Sequence, residues 1–423
     1  MQNRRELLKA MSAFGLTAMA GSYASPAAAA GAKMWFNTLF HGGDADAMET
    51  IVKKITSADP NIQVDLTQGA WTEYYAQLFN SVIAEAAPQL GIVDDFRYES
   101  VAQVLYDVTD TPAGNILDRM GVKPGDFNQW DISLVGGKPL GIPLDQNGFG
   151  IYYNKNIFKQ AGLDPEKFPE TREQFEAACE AIKKIGKIAY HPALSGETRF
   201  IRRAWLGLLW GNNGMFLDGN KPAFNTDKGR EALQYLVDGV QKRGWNKPGT
   251  NGINQFLAGE LAMLQQGTWF YLTVEKAKLD YGCSMPPKFF ERRVAWGGYH
   301  LIVLPRQANT KESIAKLETT AAFLKAFMPY TFLWGEMGGA VPLFRAAIDN
   351  PALKQTNTWN KTLGMFAHAA ASGMMLAEPR HPKITDVDLA IEPFTQQAYN
   401  GTMSVKDALD QAEKAVTKVL SSS

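Results

Sequence analysis

Short apolar runs alternate with amphipathic helical segments along nearly the whole chain, and this alternation restricts the fold to α/β architectures. Residues 33–40, KMWFNTLF, read as a first strand. Met48, Ile51, Val52 and Ile55 follow at helical spacing, behind Asp44 or Asp46, either of which suits an N-cap. Residues 61–67, NIQVDLT, then alternate as a second strand. Strand, helix and strand in this order predict a βαβ unit with ligand sites at the carboxyl ends of its strands.

Later segments repeat the pattern. Thr171 and Gln174 have the spacing of a capping box, Phe175, Ala178, Cys179 and Ile182 form the apolar stripe of the helix they open, and Gly186 stops it. Ser404 opens a final helix whose stripe is Ala408, Leu409, Ala412, Val416, Val419 and Leu420. At 423 residues the chain calls for two domains on a prior of about 150 residues each, yet no Pro/Gly/Ser-rich linker separates two halves. A chain that crosses between its lobes more than once reconciles the two observations.

The first thirty residues have the basic, apolar and small-residue parts of an export leader, with a cleavage site before Gly31. Arg4-Arg5 followed by Glu6-Leu7-Leu8-Lys9 is similar to a twin-arginine signal, an ordinary secretory leader being the alternative. No cysteine lies near the cleavage site, so the leader does not resemble that of a lipid-anchored protein. Forty-three basic residues balance 43 acidic ones without a basic run, which argues against a nucleic-acid partner. Cys179 and Cys283 are isolated and the five histidines show no metal-ligand spacing, so neither a metal nor a cofactor is expected.

Four segments in order carry a resemblance. They are GIPLDQNGFGIYYNK at 141–155, FLAGELAMLQQGTW at 256–269, Trp296-Gly297-Gly298-Tyr299 before the strand Leu301 to Leu304, and the helix from Thr319 to Met328 leading to Trp334, Gly338, Gly339 and Pro342. Together they resemble the extracellular solute-binding proteins that serve ABC importers, in the branch that contains maltose-binding protein. The resemblance implies an α/β, two-lobed periplasmic-binding-protein fold with interleaved lobes joined by hinge crossings. The lobes implied are 31–144 plus 299–338 and 148–296 plus 341–423, behind a leader at 1–30. It also implies a periplasmic binding protein, not an enzyme, that closes on a solute and presents it to ABC permease subunits; the paired arginines of the leader add the twin-arginine translocase as the export partner.

A sugar needs aromatic plates for its C–H faces and polar side chains for its hydroxyls. Trp269, in the Gly-x-Trp segment, matches a position where the family sets an aromatic against solute; a core tryptophan is the alternative. His41 and Asp44 follow the first strand, and Asp94 and Asp95 follow a third, with Arg97 beside them to orient the carboxylates. Gln146 and Asn147, with Asp145, lie at the first crossing, and Trp296, Gly298 and Tyr299 at the second. Trp71 with Tyr74, and Arg199 with Arg202 and Trp205, complete the candidates.

Sugar, and an oligosaccharide in particular, is the expected solute. The branch carries a further aromatic in its last third, whereas residues 373–392 contain no Trp, Tyr or Phe and offer Arg380 and His381 instead. An anionic solute, a glycerol-phosphate-type polyol or a uronic acid clamped by Arg199, Arg202, Arg345 and Arg380, is therefore the alternative. A secreted carbohydrate-active hydrolase using Asp94 and Asp145 is the remote one.

Overall fold

The computed structural model describes residues 32–71, 73–192 and 198–422; the expected leader lies outside the described residues. The opening βαβ unit is present as β1 (Met34–Thr38), α1 (Gly43–Ala58) and β2 (Val64–Gln68), followed by α2 (Tyr74–Ile83) and β3 (Leu90–Asp94). Both β2 and β3 pair with β1 in parallel. Met48, Ile51, Val52 and Ile55 are all buried. The expected aspartate cap is not found: Gly42, at φ 59, occupies the cap position without a side-chain bond. Its left-handed backbone turns the chain into the helix early, which leaves Asp44 inside the first turn and free to face elsewhere.

The rest of the main sheet is built by β4 (Gly141–Asn154), β5 (Ile188–His191), β6 (Leu261–Gly267), β7 (Tyr281–Ser284), β8 (Ala295–Val303), β9 (Val341–Pro342) and β10 (Met375–Leu376). Its order is β2-β1-β3-β8-β4-β6-β5, with β7 and β9 also on β4 and β10 on β8. All 14 residues of β4 are buried, and at about 3.3 Å per residue the strand is long enough to serve both ends of the sheet. Its first half pairs with β8, its second with β6.

Two large cores flank this strand. One gathers residues between Met34 and Leu144 with Leu301 to Trp334; the other takes in Phe96 and runs from Phe149 through Trp205, Trp245 and Trp296 to the C-terminal helices. Residues 145–148 and 297–300 belong to neither. At this neck Gln146 lies between Tyr299 of β8 and Val341 of β9. Close approach explains the glycines here: a Cβ on Gly148 would meet Met375 Sδ at 2.5 Å, and one on Gly297 would meet Asn147 O at 3.0 Å.

Six longer helices among the described residues complete the two halves. α3 (Arg172–Lys184) opens on the Thr171/Gln174 capping box and buries Cys179. α4 (Thr198–Gly211) and α5 (Asp227–Gln241) pack in the second core, and α6 (Lys311–Gly338), 28 residues long, lies along α1. Near the C-terminus α7 (Ile384–Tyr399) pairs with α8 (Val405–Ser421), whose Ala408, Leu409, Ala412, Val416 and Leu420 are buried behind the Ser404 cap. Val419 is half-buried. Both cysteines are free, and among the described residues no helix is long and apolar enough to cross a membrane.

Candidate functional site

A cavity of about 550 Å³ opens beside the neck, where the carboxyl ends of β1, β2 and β3 face α4 and the end of β6. Leu39, Phe40, His41, Gly42 and Asp44 come from the turn after β1, Ala70 and Trp71 from the turn after β2, and Asp94 from the end of β3. Asn147 and His300 rise from the neck, and Trp296 from the edge of the second core beside it. Across from them stand Arg199, Phe200 and Arg203 of α4, with Ile253, Gln266, Trp269, Phe270 and Thr273.

The Gly-x-Trp segment owes its form to sterics. A Cβ on Gly267 would sit 2.2 Å from Trp269 Cη2, so only glycine lets the indole fold back over the end of β6 toward the cavity. Gly43 serves the approach from the other side, since a Cβ there would meet Trp269 O at 3.0 Å. Tyr75 fixes Asp94, donating its hydroxyl to Oδ2 at 2.6 Å and accepting from the Asp94 amide at 2.9 Å.

His300 sits at the centre of an acidic group. Its Nδ1 is 2.9 Å from Asp145 Oδ1, and its Nε2 is 3.5 Å from Asp94 Oδ1. Burial alone would lower its pKa; the charge and hydrogen bond of Asp145, then the charges of Asp94 and Asp44, outweigh this and raise it to about 9. Asp145 also accepts from Trp334 Nε1 at 2.8 Å. Burial, reinforced by Asp145, raises the Asp44 pKa.

Arg203 is 3 % exposed and lies over Trp296 with 4.0 Å from its Cζ to the ring centroid. Burial lowers its pKa to about 10, against the pull of Glu378, and Arg199 and Arg202 add to the lowering. Buried polar atoms without a hydrogen-bond partner among the described residues include, on cavity-lining residues, Asp44 Oδ1, Arg203 Nε and Nη2, and Gln266 Nε2. They belong to opposite walls, a carboxyl oxygen on one and nitrogen donors on the other. Leaving such a group unpaired costs about 1–3 kcal/mol, more when it is charged.

Of the residues singled out from sequence, the structure brings His41, Asp44, Trp71, Asp94, Asn147, Arg199, Trp269 and Trp296 to this cavity. It does not bring the others. Trp205 is fully buried in the second core, donating to Gly229 O at 2.9 Å. Asp95 turns away to accept from the Tyr299 amide at 3.0 Å, and Gln146, Gly298 and Tyr299 are taken up by strand pairing at the neck. Tyr74 is a core residue that bridges Asn37 O and the Ile92 amide. Arg97 orients neither neighbouring carboxylate; its Nη2 reaches Asp388 at 3.5 Å.

The expected anion clamp is also corrected. Arg202 is spent on Glu378, Asp388 and Glu392, Arg345 on Gly125 O, and Arg380 on Ile132 O and Leu134 O. Only Arg199 of that set lines the cavity. Asp145, one half of the hydrolase pair, is buried and shares His300 with Asp94 instead of standing opposite it. Arg203, Gln266 and His300 were missed. The four-residue spacing of Arg199 and Arg203 on one helix was a readable sign that they share a face. Among the described residues no group of three His, Cys, Asp or Glu side chains is arranged to hold a metal ion.

A family model described as bacterial extracellular solute-binding protein matches residues 50–356. The chain belongs to this family. It is 24% identical to the sn-glycerol-3-phosphate-binding periplasmic protein UgpB of Shigella dysenteriae over 338 residues, 75% of each chain. The same protein of Escherichia coli K12 matches at 24% over 304 residues, 67% of this chain and 68% of that one. Among solved structures, maltose-bound MalE3 of T. maritima superposes with a TM-score of 0.78 at 19% identity, covering 91% of this chain and 98% of that chain. UgpB of Mycobacterium tuberculosis in complex with glycerophosphocholine gives 0.75 at 18%, covering 92% and 98%. The fold is thus the two-lobed α/β fold of these binding proteins, and the chain is the solute-binding protein of an ABC importer, with a small molecule and permease subunits as its partners.

Proposed function

We propose that the cavity binds a neutral carbohydrate, a short oligosaccharide, between lobes that close about the neck at residues 145–148, 297–300 and 341–342. The observation that carries this reading is the set of unpartnered buried atoms on both walls: an acceptor at Asp44 and donors at Arg203 and Gln266. A hydroxyl both donates and accepts, so a polyol satisfies the two walls together, and Trp71, Trp269 and Trp296 supply apolar faces for its rings.

The lobes are proposed as 31–144 plus 299–338 and 148–296 plus 341–423, behind a twin-arginine leader at 1–30 that delivers the protein, unanchored, to a periplasm through the twin-arginine translocase. The protein is proposed to capture and release its solute unchanged. Titration calorimetry against neutral di- and trisaccharides tests the reading; failure of every one to bind, beside binding of sn-glycerol 3-phosphate, contradicts it. That anion is the second reading, favoured by Arg199 and Arg203 sharing one wall and by the glycerol-3-phosphate-binding relatives. A Trp269→Ala loss larger than an Arg203→Met loss supports sugar, and the reverse ranking the phosphate.

A further inference from the structure

The segment after β10, where the sequence lacks an aromatic, supplies a carboxylate instead. Glu378 is 2 % exposed and does not line the cavity. Pro379 follows it and restricts its backbone toward extended conformations. Its Oε1 accepts from Trp296 Nε1 at 2.8 Å and stands 3.6 Å from Arg203 Nε. Arg202, fully buried, pairs with the same carboxylate from behind, and with Asp388 at 3.1 Å. One carboxylate thus ties together the indole and the guanidinium that stacks on it, both of which line the cavity. Because Glu378 is shared with Arg202, Arg203 keeps Nη2 without a partner.

We propose that Glu378 is a positioning residue for solute recognition: it holds Trp296 and Arg203 as one wall and thereby aims Arg203 Nη2 at a solute oxygen, making Arg203 the donor that selects among solutes. This inference rests on the carbohydrate reading and deepens it. Asp388 and Arg202 act behind the wall, fixing the carboxylate's place. Arg199, on the same helix face, lies over Trp71 with 4.6 Å to the centroid and closes the other side of the wall.

The test is titration calorimetry of the wild type, Arg203→Met, Glu378→Gln and Glu378→Asp with maltotriose, mannotriose and sn-glycerol 3-phosphate, beside the solute-free proton–nitrogen NMR signal of the Trp296 indole. For the saccharide that the wild type binds, Arg203→Met is expected to cost about tenfold to a hundredfold in affinity, the loss of a hydrogen bond from a charged donor. Glu378→Gln is expected to approach the same loss with Arg203 intact, to flatten the preference between the two trisaccharides and to move the indole signal; Glu378→Asp restores part of each. Lowered stability with unchanged preference marks a merely structural role and overturns the proposal, as does an unmoved indole signal. If Glu378→Gln fails to fold, Glu378→Asp, which keeps the charge but draws the carboxylate back by one methylene, carries the same expectation at smaller size in affinity, preference and indole signal. Saccharide binding that Arg203→Met leaves untouched overturns this inference and spares the carbohydrate reading. Binding of sn-glycerol 3-phosphate alone overturns the carbohydrate reading, and the same variants then judge the wall with that anion.

Discussion

Replacing His300 with glutamine should alter the pH dependence of stability in a defined window. In the folded protein the imidazole is held at about 9 by Asp145, against an ordinary value of 6.5. A raised pKa means that the folded state holds the proton more tightly than the unfolded chain does. The stabilisation is therefore fully present below pH 6.5 and is lost as pH rises through 9. The difference corresponds to about 3 kcal/mol. Glutamine keeps a polar group beside Asp145 but cannot be protonated, so His300→Gln should cost most in acid and become nearly harmless in alkali. Urea unfolding of both solute-free proteins at about pH 6 and about pH 9.5 reads the change directly. A wild-type advantage of the same size at both pH values would refute the buried imidazolium.

Asp95 gives a second window. Burial raises its pKa to about 7, so its contribution to folding is lost as pH rises from 3.8 through 7. Asp95→Asn keeps an acceptor for the Tyr299 amide, and should stabilise the protein above pH 7 while changing little near pH 4, as read by thermal unfolding. Trp205→Ala and Trp269→Ala should part company: the first empties a core site at a cost of about 3–5 kcal/mol, the second weakens solute binding with a far smaller loss of stability. Arg97→Met removes a contact from the first half of the chain to Asp388 of the second. Small-angle scattering of the solute-free variant should show a larger radius of gyration than the wild type, and an unchanged radius would deny Arg97 a part in holding the halves together.

Local chemistry was legible in the sequence wherever local chemistry decides. The Thr171/Gln174 box, the Ser404 cap and the apolar stripes of α1, α3 and α8 follow from spacing alone, and their side chains lie where that spacing puts them. Asp44 escaped the same reasoning because the positive φ of Gly42, and not an aspartate cap, begins α1. The cavity is harder to read, since its walls come from residues 39–44, 70–71, 94, 147, 199–203, 253–273 and 296–300, which only the topology brings together. Trp205 lies within α4 and Trp269 in the turn after β6; the carbonyl of Gly229 claims the first, and the missing Cβ of Gly267 lets the second face the cleft. Arg202 and Arg203 differ by one position on α4, and that step of about 100° separates a buried ion pair from a cavity wall.

The most direct measurement is titration calorimetry of the wild type against neutral oligosaccharides, uronic acids and sn-glycerol 3-phosphate, with each bound compound recovered and its mass determined. Saturable binding of a neutral oligosaccharide that is recovered intact is the expected result. Binding confined to the phosphate, or recovery of a cleaved saccharide, would contradict the carbohydrate-capture account.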